Sequence, residues 1–206
     1  MALVKYNNNS LSSVTSAASF PAGAMTLIKT LTASSSATLS FVDGSSDVVF
    51  DSTYPIYVFK YFNMHPASGS TFSFLGSTNS GSSYGVTKTS TSFYATHKED
   101  GSSSGSAYNT YQDLAQSTSR QGLVGTLSTD NDSGGSGELY IFNPSSTTFV
   151  KHYISTASGA INNSQATVSY TSGYFNSTSA IDAIRFEMSS GNMDSGTIKL
   201  YGIKDS

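Results

Sequence analysis

The stretch Ile181–Lys204, IDAIRFEMSSGNMDSGTIKLYGIK, decides the fold class. Ile184, Phe186 and Met188 alternate with Arg185 and Glu187, and further on Ile198 and Leu200 alternate with Lys199 and Tyr201. A period of two belongs to a β-strand with one face toward a core and the other toward solvent. The connector Ser189–Gly196 is rich in Ser, Gly, Asn and Asp, the residues that supply turn geometry. The segment therefore predicts two strands joined as a hairpin, with Ile184, Phe186, Met188, Ile198 and Leu200 facing inward.

Working outward, the same pattern predicts strands over Met25–Leu31, Ala37–Val42, Asp47–Asp51, Thr71–Leu75, Ser90–Thr96, Leu123–Leu127, Glu138–Phe142, Phe149–Ser155 and Ala166–Thr171. Tyr54–Met64, YPIYVFKYFNM, is the strongest strand pattern. Ile56, Val58, Phe62 and Met64 fall on one of its faces and Tyr57, Phe59 and Tyr61 on the other, which predicts burial on both sides. Residues 76–85 read as loop. Residues 98–122 form a long polar excursion containing Tyr108 and Tyr111; irregular segments of that length are usually functional, which makes it the place to look for a binding or contact surface. Asp113–Arg120 is the one helix candidate. About ten or eleven short strands separated by Ser/Gly turns predict an all-β chain, a two-sheet antiparallel β-sandwich of the jelly-roll kind. Residues 1–24 read as an N-terminal arm, a possible anchor, and 25–206 as a single β-sandwich domain.

Composition narrows the function classes. Charged residues make up 11% of the 206 and the net charge is −3, so Ser, Thr, Gly and Asn must cover much of the surface. Low charge reduces repulsion between copies and favours assembly. Lys and Arg form no block, which argues against direct contact with a nucleic-acid backbone. No apolar run approaches the roughly 20 residues that a membrane helix needs. Ala22-Gly23-Ala24 matches a signal-cleavage site formally, but Asn7, Asn8, Asn9 and Ser10 interrupt the apolar stretch such a signal requires. Cysteine is absent, so the chain has neither disulfides nor thiolate chemistry.

No catalytic or metal-binding constellation can be read along the chain, and no catalytic, cofactor-binding or metal residue is assigned. G-x-S-x-G occurs at Gly81–Gly85 and Gly101–Gly105, but neither lies between a buried strand and a helix, as a nucleophile elbow must. His65, His97 and His152 lack zinc-ligand spacing. Asp130-Asn131-Asp132-Ser133-Gly134 resembles the start of a calcium loop, yet Gly135–Gly137 supply no further ligands. Asp43, Asp47 and Asp51 recur every four positions across a turn and a strand rather than on a helix. The loop tyrosines Tyr84, Tyr108 and Tyr111 are candidates for stacking on sugars or for filling a neighbour's pocket.

The phrase SSGNMDSGTIKLYGIK (189–204), with SGELYIFNPSSTTFVKHYIS (136–155) and YFNSTSAIDAIRFEMSSG (174–191), resembles virion structural proteins of decoration or fibre type from marine tailed bacteriophages such as cyanophages and pelagiphages. The resemblance covers mainly residues 136–204. It implies a non-enzymatic structural protein on the exterior of a particle assembled in the host cytoplasm, acting through subunit contacts as a capsid decoration (cement) or head-fibre protein. The partners it implies are further copies of the chain, a trimer first, and other virion proteins such as the major capsid protein. A tail-associated jelly-roll module binding host surface glycan is the alternative, and a polysaccharide depolymerase the third.

Overall fold

The computed structural model describes residues 25–204, so the expected arm, 1–24, lies outside the described residues. These residues form thirteen β-strands and, among the described residues, no helix. In chain order they are β1 (Met25–Ser36), β2 (Leu39–Val42), β3 (Ile56–Pro66), β4 (Ser70–Ser77), β5 (Lys88–Lys98), β6 (Ser104–Tyr108), β7 (Leu114–Ser117), β8 (Gln121–Leu127), β9 (Gly135–Phe142), β10 (Lys151–Ile161), β11 (Gln165–Phe175), β12 (Ala183–Met188) and β13 (Met193–Ile203). Every pairing is antiparallel.

The hydrogen-bonded path runs β1-β13-β3-β9-β10-β8-β4-β12-β2, with β11, β5, β6 and β7 branching from β10. It curls into a nearly closed, barrel-like sheet whose two end strands, β1 and β2, follow one another in the chain. The joint between β10 and β8 is a single residue pair, Ile161 with Leu127. On either side of that joint the ladders are continuous, and their inner faces meet around an aromatic core. Phe186 of β12 lies 5.2 Å from Phe59 of β3 and 5.7 Å from Phe72 of β4, ring centre to ring centre. Phe41 of β2 meets Phe59 edge-on at 5.2 Å, and Phe74 meets Tyr153 of β10 at 5.2 Å. Such pairs add to the large apolar area each ring removes from water.

The inward faces predicted for the last two strands are correct: Ile184, Phe186, Met188, Ile198 and Leu200 are buried, while Arg185, Glu187, Lys199 and Tyr201 are partly exposed. The hairpin is not. β12 pairs with β2 and β4, whereas β13 pairs with β1 and β3. Alternation fixes which face a strand buries but not which strand lies beside it, and the exposed connector leads to the other half of the sheet instead of folding back. The two-faced reading of Tyr54–Met64 also needs correction. Tyr57, Phe59 and Tyr61 are buried in the core and Val58 is covered on the opposite face, but Phe62 is 42% exposed. Asn63 takes a φ of 50° where the register with β9 slips between Tyr61 and Met64. This bulge changes the phase of the strand and turns Met64 inward.

Four further expectations change. Asp47–Asp51 is a turn rather than a strand: Ser46 and Asp47 have positive φ, and Asp43 Oδ1 accepts the Phe50 N–H at 2.9 Å. Strand β4 continues to Ser77, into the expected loop. The excursion 98–122 is not structureless, because β6 pairs along β5 and β7 touches it at Lys88 and Ser90. The helix candidate Asp113–Arg120 contains β7.

Tyrosine and glycine face one another across neighbouring strands at Tyr61 and Gly137 and at Tyr153 and Gly173. At each pair the phenol crosses the place where a β-carbon would stand: one added at Gly137 would lie 2.7 Å from Tyr61 Oη and one at Gly173 2.6 Å from Tyr153 Oη. The rings thereby reach polar partners inside. Tyr61 Oη lies 3.3 Å from Ser155 Oγ, and Tyr153 Oη donates to Gln121 Oε1 at 2.9 Å.

Two lysines are buried in this interior, on either side of Phe175: Lys151 of β10 and Lys88 of β5 are the residues paired with it. Lys88 Nζ donates to Val86 O at 3.2 Å, and Lys151 Nζ to Ser177 O at 3.0 Å. Burial disfavours the charged ammonium and lowers the Lys88 pKa to about 8, and it lowers that of Lys151 as well. Below pH 8 Lys88 is charged in both the folded and unfolded chain, and folding carries the full cost of burying that charge. Between pH 8 and 10.5 the folded chain has released a proton that the unfolded chain still holds, so stability attributable to Lys88 rises with pH across that window. Lys88→Met is therefore expected to raise stability at pH 7, by up to about 3 kcal/mol. Denaturant titrations of both proteins at pH 7 and pH 10 should show the gap narrowing at the higher pH.

Candidate functional site

A cleft of about 440 Å³ opens where the curled ends of β5 and β11 overhang β4 and β8. One wall is the core-side face of β5 and β11, which carries Tyr94, Thr96, Thr167 and Ser169. The opposite wall is the side of β4 turned away from Phe72 and Phe74, carrying Thr71 and Ser73, with Gly122 and Thr126 of β8. Asn109, Tyr111 and Gln112, from the loop between β6 and β7, close one end, and Arg120 and Ser189 border it.

The loop over the cleft is fixed from below. Asn109 N–H donates to Ser92 O at 2.8 Å, and Asn109 Oδ1 accepts the Tyr111 N–H at 3.2 Å, a short side-chain-to-backbone turn. Gln121 Nε2 donates to Gln112 O at 2.7 Å, while Gln121 Oε1 accepts from Tyr153. The core thus holds the loop through a buried chain of amide and hydroxyl groups. Gln112 fits against Gly122, where a β-carbon would come 2.7 Å from the Gln112 Cδ. On this support Tyr111 projects with 96% of its surface exposed.

Within the lining of the cleft one buried polar group is left without a partner. Gln112 is 8% exposed, yet its Oε1 has no hydrogen-bond partner. A buried amide oxygen without a partner costs on the order of 1–3 kcal/mol. The sole cation of the lining is already committed: Arg120 Nε lies 3.2 Å from Glu187 Oε1, and its guanidinium also donates to Ser189 O. The lining contains hydroxyls, amides and two phenols but neither carboxylate nor imidazole. Such groups bind and orient a ligand through hydrogen bonds.

A second surface lies on the outer side of the sheet. Paired residues of neighbouring antiparallel strands point the same way, so the partners Leu27, Tyr201, Val58, Tyr140 and Ile154 form one outward row across β1, β13, β3, β9 and β10. A parallel row carries Met25, Ile203, Ile56 and Phe142. At the far edge Tyr170 stacks on Phe93 at 4.9 Å, beside Tyr108. Among the described residues, nine large hydrophobic side chains are exposed, and seven of them (Met25, Leu27, Phe62, Phe93, Tyr108, Ile154 and Tyr170) share this outer face. A groove of about 500 Å³ runs across it between Ile154 and Tyr174, floored by Ser172 and Thr91.

Comparison with protein families, with curated proteins and with solved structures finds no match. The residues singled out from the sequence are scattered over the molecule. Tyr84 lies under the Arg185 guanidinium, 4.4 Å from ring centre to Cζ, and Tyr108 donates to Asp113 Oδ2 at 3.1 Å on the outer edge. Tyr111 alone of the three borders the cleft. His65 accompanies Asp194 at 4.0 Å, His152 faces Tyr174 and His97 lies on β5, so the histidines do not converge. Among the described residues no three His, Asp or Glu side chains gather as a metal site. Both G-x-S-x-G segments fall in turns or at a strand start, and Asp130 accepts from Ser128 Oγ and Ser133 N–H in a turn of its own.

Proposed function

We propose that this chain is a non-enzymatic structural protein of a tailed-phage particle, a capsid decoration or head-fibre protein on the particle exterior. It acts through contacts with its own copies and with other virion proteins, the major capsid protein first among them. The observation that carries the proposal is the outer face: seven of the nine exposed large hydrophobic side chains lie on one side of one sheet. Exposed apolar side chains gathered on one face mark an interaction surface, here with Thr156, Glu138, Lys60 and Lys199 set among them in the row that carries Tyr108, Phe93 and Tyr170. The resemblance over residues 136–204 and the 11% of charged residues support the same reading.

The finer fold consistent with this role is a jelly roll. β1, β2, β3, β4, β8, β9, β12 and β13, numbered one to eight in chain order, pair in the orders 1-8-3-6 and 2-7-4-5. These are the orders of two interlocked Greek keys. β5–β7 and β10–β11 then count as insertions that widen one sheet, and the single pair Ile161–Leu127 is the seam between the two sheets.

Closed symmetry suits a finite assembly, with a trimer as first choice and a dimer as the alternative. Sedimentation is expected to give a multiple of the 21.6 kDa chain mass. Leu27→Lys with Ile154→Lys places two cations on the apolar row at positions about half exposed. That variant is expected to sediment as a folded monomer with an unchanged circular dichroism spectrum. A wild-type chain that stays monomeric at high concentration would overturn the assembly reading.

A further inference from the structure

We infer that the cleft between the β6–β7 loop and the β5–β11 overhang is a binding site for neutral carbohydrate. This site is independent of the proposed virion role, which rests on the opposite face of the sheet. Two neighbouring side chains on one fixed loop point to it. Gln112 is buried, lines the cleft and has an amide oxygen without a partner. Tyr111, next to it in the chain, presents almost its entire ring to solvent at the rim. The unpaired acceptor is covered as the loop stands, and a turn of the Gln112 amide toward the cleft would let a ligand's donor satisfy it. An aromatic ring held at the rim of a polar cleft offers an apolar platform beside hydrogen-bonding groups. A ligand that satisfies both has many hydroxyl donors and acceptors together with a C–H face, and a pyranose has that chemistry.

The rest of the lining selects charge. Thr96, Thr167 and Ser169 on one wall and Thr71 and Ser73 on the other offer hydroxyls that donate or accept. A cationic ligand would find no carboxylate in the lining, and an anionic one would find only Arg120, which is already paired with Glu187. Acidic sugars would therefore gain little over neutral ones. The volume, about 440 Å³, lies within the range of small-ligand sites. The buried links from Tyr153 through Gln121 to the Gln112 carbonyl mean that the loop is already ordered before binding, which reduces the entropy lost when a ligand is captured.

The test is saturation-transfer NMR on the full chain with neutral oligosaccharides of glucose, galactose, mannose and N-acetylglucosamine, and with sialylated and sulfated oligosaccharides as the charged set. Transfer to at least one neutral oligosaccharide is expected. Tyr111→Ala, at a fully solvated position, is expected to weaken it at least tenfold, and Gln112→Met to do the same with the fold retained by circular dichroism. Phe93→Ala, on the outer face, is expected to leave binding unchanged. No transfer to any neutral sugar, transfer to the charged set alone, or binding that Phe93→Ala abolishes and Tyr111→Ala spares would each overturn the assignment. None of these results alters the particle-association test of the virion role.

Discussion

Leu200→Asp and Phe186→Asp are each expected to abolish cooperative folding, while Lys199→Ala changes stability by no more than about 0.5 kcal/mol. Phe186 sits at the junction of the two halves of the barrel, within 6.5 Å of the ring centres of Phe41, Phe59, Phe72 and Phe74. Leu200 is fully buried on β13 between Lys29 of β1 and Phe59 of β3. A carboxylate at 186 is surrounded by aromatic rings, and one at 200 has the Lys29 ammonium of the neighbouring strand as its one cross-strand cation; each must be desolvated or protonated inside the core, at a cost of several kcal/mol. That is comparable to the whole stability of a domain, about 5–15 kcal/mol. Lys199 points outward from the next position and contributes only a cation above Phe62, 5.9 Å from the ring centre. Thermal melts of the three variants check this, and a Leu200→Asp chain that melts cooperatively would place Leu200 on the wrong face.

Gly137→Val is expected to destabilise the fold by about 3 kcal/mol or more, at the upper end of what overpacking costs. The first added carbon would stand 2.5 Å from Thr156 O and 2.8 Å from Ala157 Cα, both backbone atoms of the neighbouring strand, and neither can swing aside. It would also displace the Tyr61 phenol from Ser155, whose hydroxyl donates onward to Glu138 O at 2.8 Å. Gly85→Val, where an added β-carbon meets nothing within 4 Å, is the matched control and should cost little. Urea titration of the pair separates the steric clash from any general effect of replacing glycine. Equal midpoints would show that Gly137 is not under the ring.

Alternation at Ile184, Phe186 and Met188 and at Ile198 and Leu200 locates the core faces correctly, because one residue's outlook depends only on its own strand. Partners depend on the path of the chain through space. No local pattern distinguishes a connector that folds back from one that leads to the other half of the sheet, as the exposed segment between Met188 and Met193 does. The bulge at Asn63 is invisible for a related reason: asparagine tolerates positive φ, but nothing in YPIYVFKYFNM announces that it is used. The excursion 98–122 does point to the cleft, since Asn109, Tyr111, Gln112 and Arg120 all come from it. The other wall does not show, because Tyr94, Thr167 and Ser169 look like ordinary strand residues until β5 and β11 pair. The outer apolar face is likewise hidden. Leu27, Val58, Tyr140, Ile154 and Tyr201 are spread over the chain, and only register brings them into one row.

The proposed virion role has its most direct test in the particle itself. Quantitative mass spectrometry of gradient-purified phage particles carrying this gene should detect the chain at a copy number comparable with that of the major capsid protein, as a decoration protein requires. Its absence from purified particles would contradict the account.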